Sequence, residues 1–480
     1  RLGVRPLFYT QTLSRALIFA SEIKSILSDR RVRAEIDPAV VRQIFLFWAP
    51  LAPHTAFRDI VELPPGHYLT ADEREVRVER YWSSRFPDQD GPAAPQRPFD
   101  EVVEEFRALL TDACRIRLRA DVPVGAYLSG GIDSSVIAAI ARRSIPKRLA
   151  TFSIAFDDAE FDESSFQREM SAHLDTEHHV IQARPADIGR VFPDVVWHAE
   201  VPLMRTAPAP MFLLSRLVRD QGFKVVLTGE GADEFLGGYD IFKEAKVRRF
   251  WARRPQSKWR SLLLKRLYPD IGGLAQSHVE TLAAFFGEGL CDVESPWYSH
   301  AVRWRNNRRT WRFLNDENPG ILPLEGAALD PLAAALPAGF KQWSPLARAQ
   351  HLEISIFLSH YLLSSQGDRM GMAHSIEGRF PFLDVRLVEF CNRLEPRLKM
   401  RGLREKHLLK AASRQWLPQS IHRRPKRPYR APVHRSFFGK EAPGYVRELL
   451  GLAALKDAGL FRPGPVAQLV SKIESGARIG

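Results

Sequence analysis

The chain has 480 residues, 45% hydrophobic and 26% charged, with a formal net charge of +13. That length makes two or three domains and excludes a small stapled scaffold or a lone binding module. Three scattered cysteines, Cys114, Cys291 and Cys391, exclude a disulfide framework and a paired-cysteine zinc site, and all three are expected to act as small buried hydrophobes. No apolar run of about 18 residues predicts a spanning helix, so a soluble cytoplasmic chain without membrane association is expected. The positive charge favours polyanions, leaving nucleic acid, nucleotides and anionic lipid open. The opening Arg1-Leu-Gly-Val-Arg-Pro-Leu-Phe-Tyr9 lacks an initiator Met and reads as mid-domain sequence, which predicts a fragment.

Residues 1–82 carry short β-like stretches, such as Leu17 to Phe19 and His67 to Leu69, with helical pieces and the turn Pro64-Pro65-Gly66. Residues 83–98 shift to Pro, Asp, Gln, Gly and Ala and read as a linker. A second domain, 99–480, opens with a helix capped by Asp100, in which Val102, Phe106, Leu109, Leu110, Ala113 and Ile116 recur at helical spacing. Strands over Val122 to Leu128, Leu149 to Phe156 and Phe223 to Leu227 then alternate with helices over Ser134 to Arg143, Ser164 to Leu174 and Pro210 to Val218. This order predicts an α/β fold with a doubly wound parallel sheet, whose ligands collect at the carboxyl ends of the strands. Beyond about Tyr239 the chain reads as mainly helical.

Two loops at predicted strand ends carry the chemistry. In Leu128-Ser129-Gly130-Gly131-Ile132-Asp133-Ser134-Ser135, glycines admit a ligand close to the backbone, serines offer hydroxyls, and the following helix presents free N–H groups to an anion such as phosphate. An isolated Ser-Gly-Gly is more often a plain turn, but the strand-to-helix position favours the phosphate loop. No Lys follows the glycines, so a Walker-type clamp is not expected. The second loop, Thr228-Gly229-Glu230-Gly231-Ala232-Asp233-Glu234, crowds three carboxylates after a buried strand, which suggests a cation or an amine, or else acids capping the next helix. If both loops share one sheet edge, Asp133 and Asp233 can share a Mg²⁺ that bridges nucleotide phosphates.

The serine-glycine loop resembles the pyrophosphate-binding loop of the N-type ATP pyrophosphatases. With Ser375-Ile-Glu-Gly-Arg-Phe-Pro-Phe-Leu-Asp384 and Glu405-Lys-His-Leu-Leu409, the chain resembles glutamine-hydrolysing asparagine synthetases. Leu2-Gly-Val-Arg-Pro-Leu-Phe8 and Ala20-Ser-Glu-Ile-Lys24 resemble the last part of the family's N-terminal-nucleophile α+β glutaminase domain. The resemblance implies amidation of L-aspartate through a β-aspartyl adenylate, consuming ATP with Mg²⁺ and releasing AMP and pyrophosphate, with nitrogen from glutamine in the intact protein or from ammonia. Ser129, Gly130, Gly131, Asp133, Ser134 and Ser135 would hold the phosphates, and Leu128, Ile154, Thr228 and Gly229 match nucleotide contacts. Glu230 matches the proton acceptor, Lys406 a lysine that stabilises charge on the adenylate, and Arg205 an arginine near pyrophosphate, although Pro202 and Leu203 replace the threonines that commonly precede it. A homodimer is the family expectation.

The family hydrolyses glutamine with an N-terminal Cys that this sequence lacks, so the fragment is expected not to use glutamine. Rival readings are an amidotransferase for another carboxylate in a specialised pathway, and an RNA-modifying enzyme of the same fold, although nucleic acid is not the expected partner. The basic stretches Arg248 to Arg266 and Arg303 to Arg312 read as solvated helical faces, and His178-His179 as an ordinary pair without a metal. Asp384 suits either a role in shaping the site or a buried helix cap, and His422-Arg-Arg-Pro-Lys-Arg-Pro-Tyr429, which follows the lysine motif, reads either as a solvated basic stretch or as a border of the nucleotide site.

Overall fold

A computed structural model describes residues 1–91, 97–269, 271, 276–315 and 329–476. Near the start, β1 (Phe8–Gln11), β2 (Leu17–Ala20) and β3 (Val61–Glu62) form an antiparallel sheet in the order β2-β1-β3, and β4 (His67–Ala71) pairs with β5 (Val76–Arg80) as a hairpin. Between β2 and β3 lie α1 (Ile23–Leu27) and α2 (Pro38–Phe47), the latter capped by Asp37. These elements pack directly onto the rest of the chain, since Leu2, Leu46, Phe47 and Leu51 share one apolar cluster with Val102, Phe106 and Leu128. A polar clamp fixes the same junction. Glu200 accepts the Ile23 and Lys24 N–H groups at 2.8 and 2.7 Å and pairs with the buried Arg369 at 2.9 Å.

The 83–98 stretch is not all free linker. Phe86 is buried against Trp343, with ring centroids 5.1 Å apart, and the Gln89 N–H donates to Gln342 O at 2.7 Å. Its residues 92–96 lie outside the described residues. Next comes α3 (Phe99–Arg117), with Asp100 and Glu101 in its first turn and Arg115 and Arg117 in its last, both favourable to the helix dipole. Asp100 is not the cap. Pro98 holds that position, because its fixed φ turns the chain into the helix before an Asp100 side chain could act.

Five strands form the central sheet: β6 (Val124–Tyr127), β7 (Ala150–Phe156), β8 (Glu177–Ala183), β9 (Val225–Leu227) and β10 (Glu377–Arg379). All pairings are parallel and the order is β10-β9-β6-β7-β8. Helices α4 (Ile132–Ser144), α5 (Ser164–Leu174), α6 (Pro185–Ala199) and α7 (Pro208–Asp220) make the crossovers. The chain winds outward from β6 through β7 to β8, then returns to place β9 on the other side of β6, as a doubly wound sheet requires. The switch point therefore lies between β6 and β9, where a crevice opens at the carboxyl ends. Helix α4 is buried on nearly all faces, and Ala138, Ala139 and Ala141 let it lie close to the sheet.

Three elements, β8, α6 and β10, are not expected from the sequence. Strand β8 is an edge strand whose Glu177-His-His-Val-Ile-Gln-Ala183 has no clean apolar alternation, and β10 is three residues long and joins from far along the chain. Past β9, apart from β10, the described residues are mainly helical as expected, with α8 (Ala232–Leu236), α9 (Asp240–Ala252) and a buried π-helical stretch over Glu353–Asp368. No helix among the described residues is long and apolar enough to cross a membrane.

Two further expectations fail. Cys114 and Cys391 are buried, but Cys291 is exposed. The 248–266 stretch is not wholly a solvated face, because Arg248 is fully buried, donating to the carbonyls of Phe286, Tyr298 and Glu288 at 2.9, 3.0 and 3.0 Å. Its guanidinium satisfies carbonyls of the Phe286-Gly-Glu-Gly289 turn rather than meeting water. Arg248→Ala would leave these acceptors unpaired and should destabilise the fold by about 3 kcal/mol or more, read as a lower urea midpoint at unchanged m.

Candidate functional site

The loops after β6 and β9 face each other across the switch point. Backbone and hydroxyl groups pre-shape the first: Ser129 N–H donates to Ser134 Oγ at 3.1 Å, the two serine hydroxyls lie 2.9 Å apart, and Gly131 N–H donates to Ser129 Oγ at 3.3 Å. The second loop presses against it. A Cβ on Gly229 would stand 2.9 Å from Ser134 N and 3.0 Å from Asp133 Cβ, so only glycine permits this approach.

At the contact four charges alternate. The Lys406 ammonium lies 2.7 and 2.6 Å from the two Asp133 oxygens and 2.6 Å from Asp233 Oδ1. The Lys426 ammonium lies 2.6 Å from Asp233 Oδ2 and 3.9 Å from Asp133 Oδ2. Burial works against every one of these charges. Even so, Lys406 and Lys426 hold Asp233 below the usual carboxylate value, and Asp233 and Asp133 hold Lys426 above the usual ammonium value. Two backbone features make room for the cluster. Lys406 itself adopts φ 52, a conformation costly for any residue with a side chain, and a Cβ on Gly238 would fall 2.0 Å from Asp233 Oδ1 and 2.4 Å from Lys406 Cε.

A cavity opens above the cluster. Leu128, Ser129, Asp133, Ser134, Ile154, Arg205, Thr228, Gly229, Glu230 and Asp233 all line it. Lys406 stands beneath it, tied to both aspartates. Gly130, Gly131 and Ser135 do not line it, and Ser135 is fully buried. Glu230 turns a buried Oε2 towards no hydrogen-bond partner among the described residues, and burial pushes its carboxyl up. Arg205 is half-buried and donates to Tyr429 O at 3.2 Å.

Residues that the motifs do not single out also belong to the site. Lys426 is the second cation, and Tyr429 and Arg430 continue the same wall. The basic run after His422 carries the signal, since Pro425 and Pro428 keep the segment extended, but nothing local says which of its cations turns inward. Glu234, the last acid of the second loop, also lines the cavity. It accepts from Tyr239 OH at 2.6 Å, and its backbone oxygen accepts from the Gln350 amide. Asp384 does cap its helix, accepting from Arg386 N–H at 3.1 Å. His178 bonds Thr151 at 3.0 Å, and no group of three or more potential metal-binding His, Cys, Asp or Glu side chains exists among the described residues. For Mg²⁺ on a nucleotide two carboxylates suffice, because phosphates and waters complete the shell. Asp133 and Asp233 converge on one ammonium and so fit that requirement.

Burial, and then the Asp233 charge, push the Glu234 carboxyl up to about 8. Because the folded state holds this proton more tightly than the unfolded chain, the stabilisation is complete below the ordinary value of 4.5 and is lost as pH rises to about 8. Glu234→Gln keeps the shape of the protonated acid and should flatten the fall of Tm with pH across that window, measured by thermal unfolding in matched buffers.

A family model described as asparagine synthase matches residues 105–479, and one described as a glutamine amidotransferase domain matches residues 1–82. The chain is similar to amidase chyE of Penicillium rubens, 31% identical over 472 residues, covering 90% of this chain and 66% of that protein. It is similar to amidase chry2 of Gibberella zeae, 30% identical, covering 96% of this chain and 70% of that protein. It is also similar to glutamine-hydrolysing asparagine synthetase 1 of Bacillus subtilis, 27% identical, covering 93% of this chain and 67% of that protein. The chain thus spans about two thirds of the length of these relatives. With the asparagine synthase match covering most of its length and the phosphate-type loop at the sheet's switch point, the chain belongs to the asparagine synthase family.

Proposed function

We propose that the intact protein is an ATP-dependent ligase that converts the side-chain carboxylate of L-aspartate into an amide, with nitrogen from glutamine or ammonia. The observation that carries this reading is the convergence of the serine-glycine loop, the Asp133–Lys406–Asp233–Lys426 cluster and Glu230 on a single cavity. We assign residues 1–82 to the end of a glutaminase domain, 83–98 to a linker, and 99–480 to the synthetase domain.

In this reading the β- and γ-phosphates of ATP rest on the serine-glycine loop and the first turn of α4, whose N–H groups point at the anion. Leu128, Ile154, Thr228 and Gly229 border the nucleotide. A carboxylate oxygen of the acid attacks the α-phosphorus, the bond from that phosphorus to the bridging oxygen breaks, and pyrophosphate leaves. Lys406 and Lys426 hold positive charge next to the phosphates, where negative charge grows in the transition state. Arg205 offers a further cation at the cavity wall. Mg²⁺ held by Asp133 and Asp233 would add positive charge to the phosphates. Ammonia then attacks the acyl carbon, Glu230 accepts a proton from the nitrogen, and the carbon–oxygen bond to AMP breaks. A carboxylate whose proton affinity is raised by burial is suited to that last task.

A second reading, amidation of a bulkier carboxylate, is favoured by one observation. Much of the remaining cavity wall is apolar or aromatic, including Phe152, Phe156, Phe161, Met211, Leu214 and Phe357, more than a small zwitterion requires. The similarity to fungal amidases supports the same alternative.

The deciding assay measures pyrophosphate release from ATP and Mg²⁺ with ammonium, with and without L-aspartate, and looks for asparagine. Aspartate-dependent release with asparagine formed is expected; release that needs a larger acid selects the second reading. Glu230→Ala should retain pyrophosphate exchange while amide formation slows about 10²- to 10⁴-fold, and equal loss of both would remove its role as proton acceptor. Asp133→Ala should abolish Mg²⁺-dependent ATP turnover, and turnover at the unaltered rate would remove its metal role.

A further inference from the structure

Arg205 is held in an unusual way. Among the described residues no carboxylate pairs with it, and its guanidinium lies over two aromatic rings, 5.4 Å from the Trp48 centroid and 5.9 Å from that of Tyr361. One N–H group donates to Tyr429 O at 3.2 Å, which leaves most of the guanidinium fork uncommitted among the described residues. Trp48 comes from the far end of the sequence, as the residue that closes α2, and a second guanidinium, Arg303, lies 5.3 Å over the same ring while bonding Glu353 at 2.8 Å. Trp48 also packs on Phe357, a residue of the cavity wall, with centroids 5.9 Å apart, and Phe357 stacks on Tyr361 at 5.0 Å.

The backbone at Trp48 sharpens the question of what the ring is for. Its φ is 69° and ψ 5°, a left-handed helix terminus that glycine fills at no steric cost and a bulky aromatic residue rarely adopts. Strain of this kind persists where the side chain serves a purpose the local backbone does not. The ring's neighbours indicate the purpose: a flat π face neutralises part of the guanidinium's desolvation without consuming its N–H groups, so the fork remains available to a ligand in the cavity. A carboxylate at the same place would have cancelled the charge.

We propose that Trp48 is a positioning residue for the synthetase reaction: supplied by the N-terminal segment, it aims Arg205 into the cavity to receive an oxyanion of the substrates. This rests on the amidation reading above. The oxyanion belongs either to the acid or to the phosphates of ATP, and the two sources separate kinetically. Trp48 does not line the cavity, so it acts through Arg205.

The test compares Trp48→Phe, which keeps a π face, with Trp48→Leu, which keeps apolar bulk, in the ammonium-dependent pyrophosphate assay using L-aspartate or, if that is inert, the larger acid that supports release. Trp48→Leu should raise one KM about tenfold, with kcat changed much less, whereas Trp48→Phe should retain most of the affinity. A rise in the acid's KM assigns the oxyanion to the acid, and a rise in that of ATP assigns it to the phosphates. In an Arg205→Ala background the Leu substitution should add nothing further. Equal KM values for the Phe and Leu variants, or a Leu effect that persists undiminished without Arg205, overturns the proposal while leaving amidation intact. No acid-dependent release from the unaltered chain overturns the amidation reading and this inference together.

Discussion

Two carboxylates and two ammoniums stand within one small volume at the switch point, and the local structure is built around keeping them together. Any one of the four left alone would be a buried charge without a partner, a penalty of several kcal/mol that a domain of ordinary stability cannot absorb twice. Alternation offsets much of this cost: Asp133 and Asp233 each meet an ammonium, and Lys406 meets both acids, while burial still pushes the Asp133 carboxyl up. The cluster draws its members from four separate stretches of chain. It therefore fixes the first turn of α4, the start of α8, the residue before the His407–Ser413 helix and the proline-bracketed basic segment against one another.

The glycines and the strained Lys406 backbone result from the same constraint. Charge pairs at 2.6 to 2.7 Å need backbones brought unusually close, and Gly229 and Gly238 are where a Cβ would stand in the way. Above the cluster the wall changes character, from serine hydroxyls and N–H groups to aromatic rings and Arg205. A polar floor under an apolar wall suits a ligand with an anionic end and a less polar remainder, whichever acid accompanies the nucleotide.

What is legible in the sequence is local. A strand, its glycine-bearing turn and the next helix are contiguous in the chain, so the phosphate-type loop and its acidic counterpart can be read from spacing alone, and with them the parallel sheet. The family resemblance adds Lys406 and Arg205. Lys426 is harder, because its run holds several cations and only the tertiary fold selects the one that meets Asp233. Arg248 misleads for a related reason: an arginine-rich helix advertises a solvated face, whereas the acceptors that bury this guanidinium lie about 40 residues away. Strand β10 is invisible because three residues make no pattern. Trp48 gives no signal at all, since its place depends on a φ value and on a guanidinium far along the chain, at Arg205.

The Glu200 clamp carries a mechanical consequence. Its two oxygens take the first N–H groups of α1 while one of them also holds the buried Arg369. Prising the first sheet away from the central one would uncap one helix and strand a guanidinium in the same motion. The junction therefore resists a gradual opening and yields, if at all, in one step, so that cutting the chain within 83–98 would leave the two pieces bound to each other as a non-covalent pair.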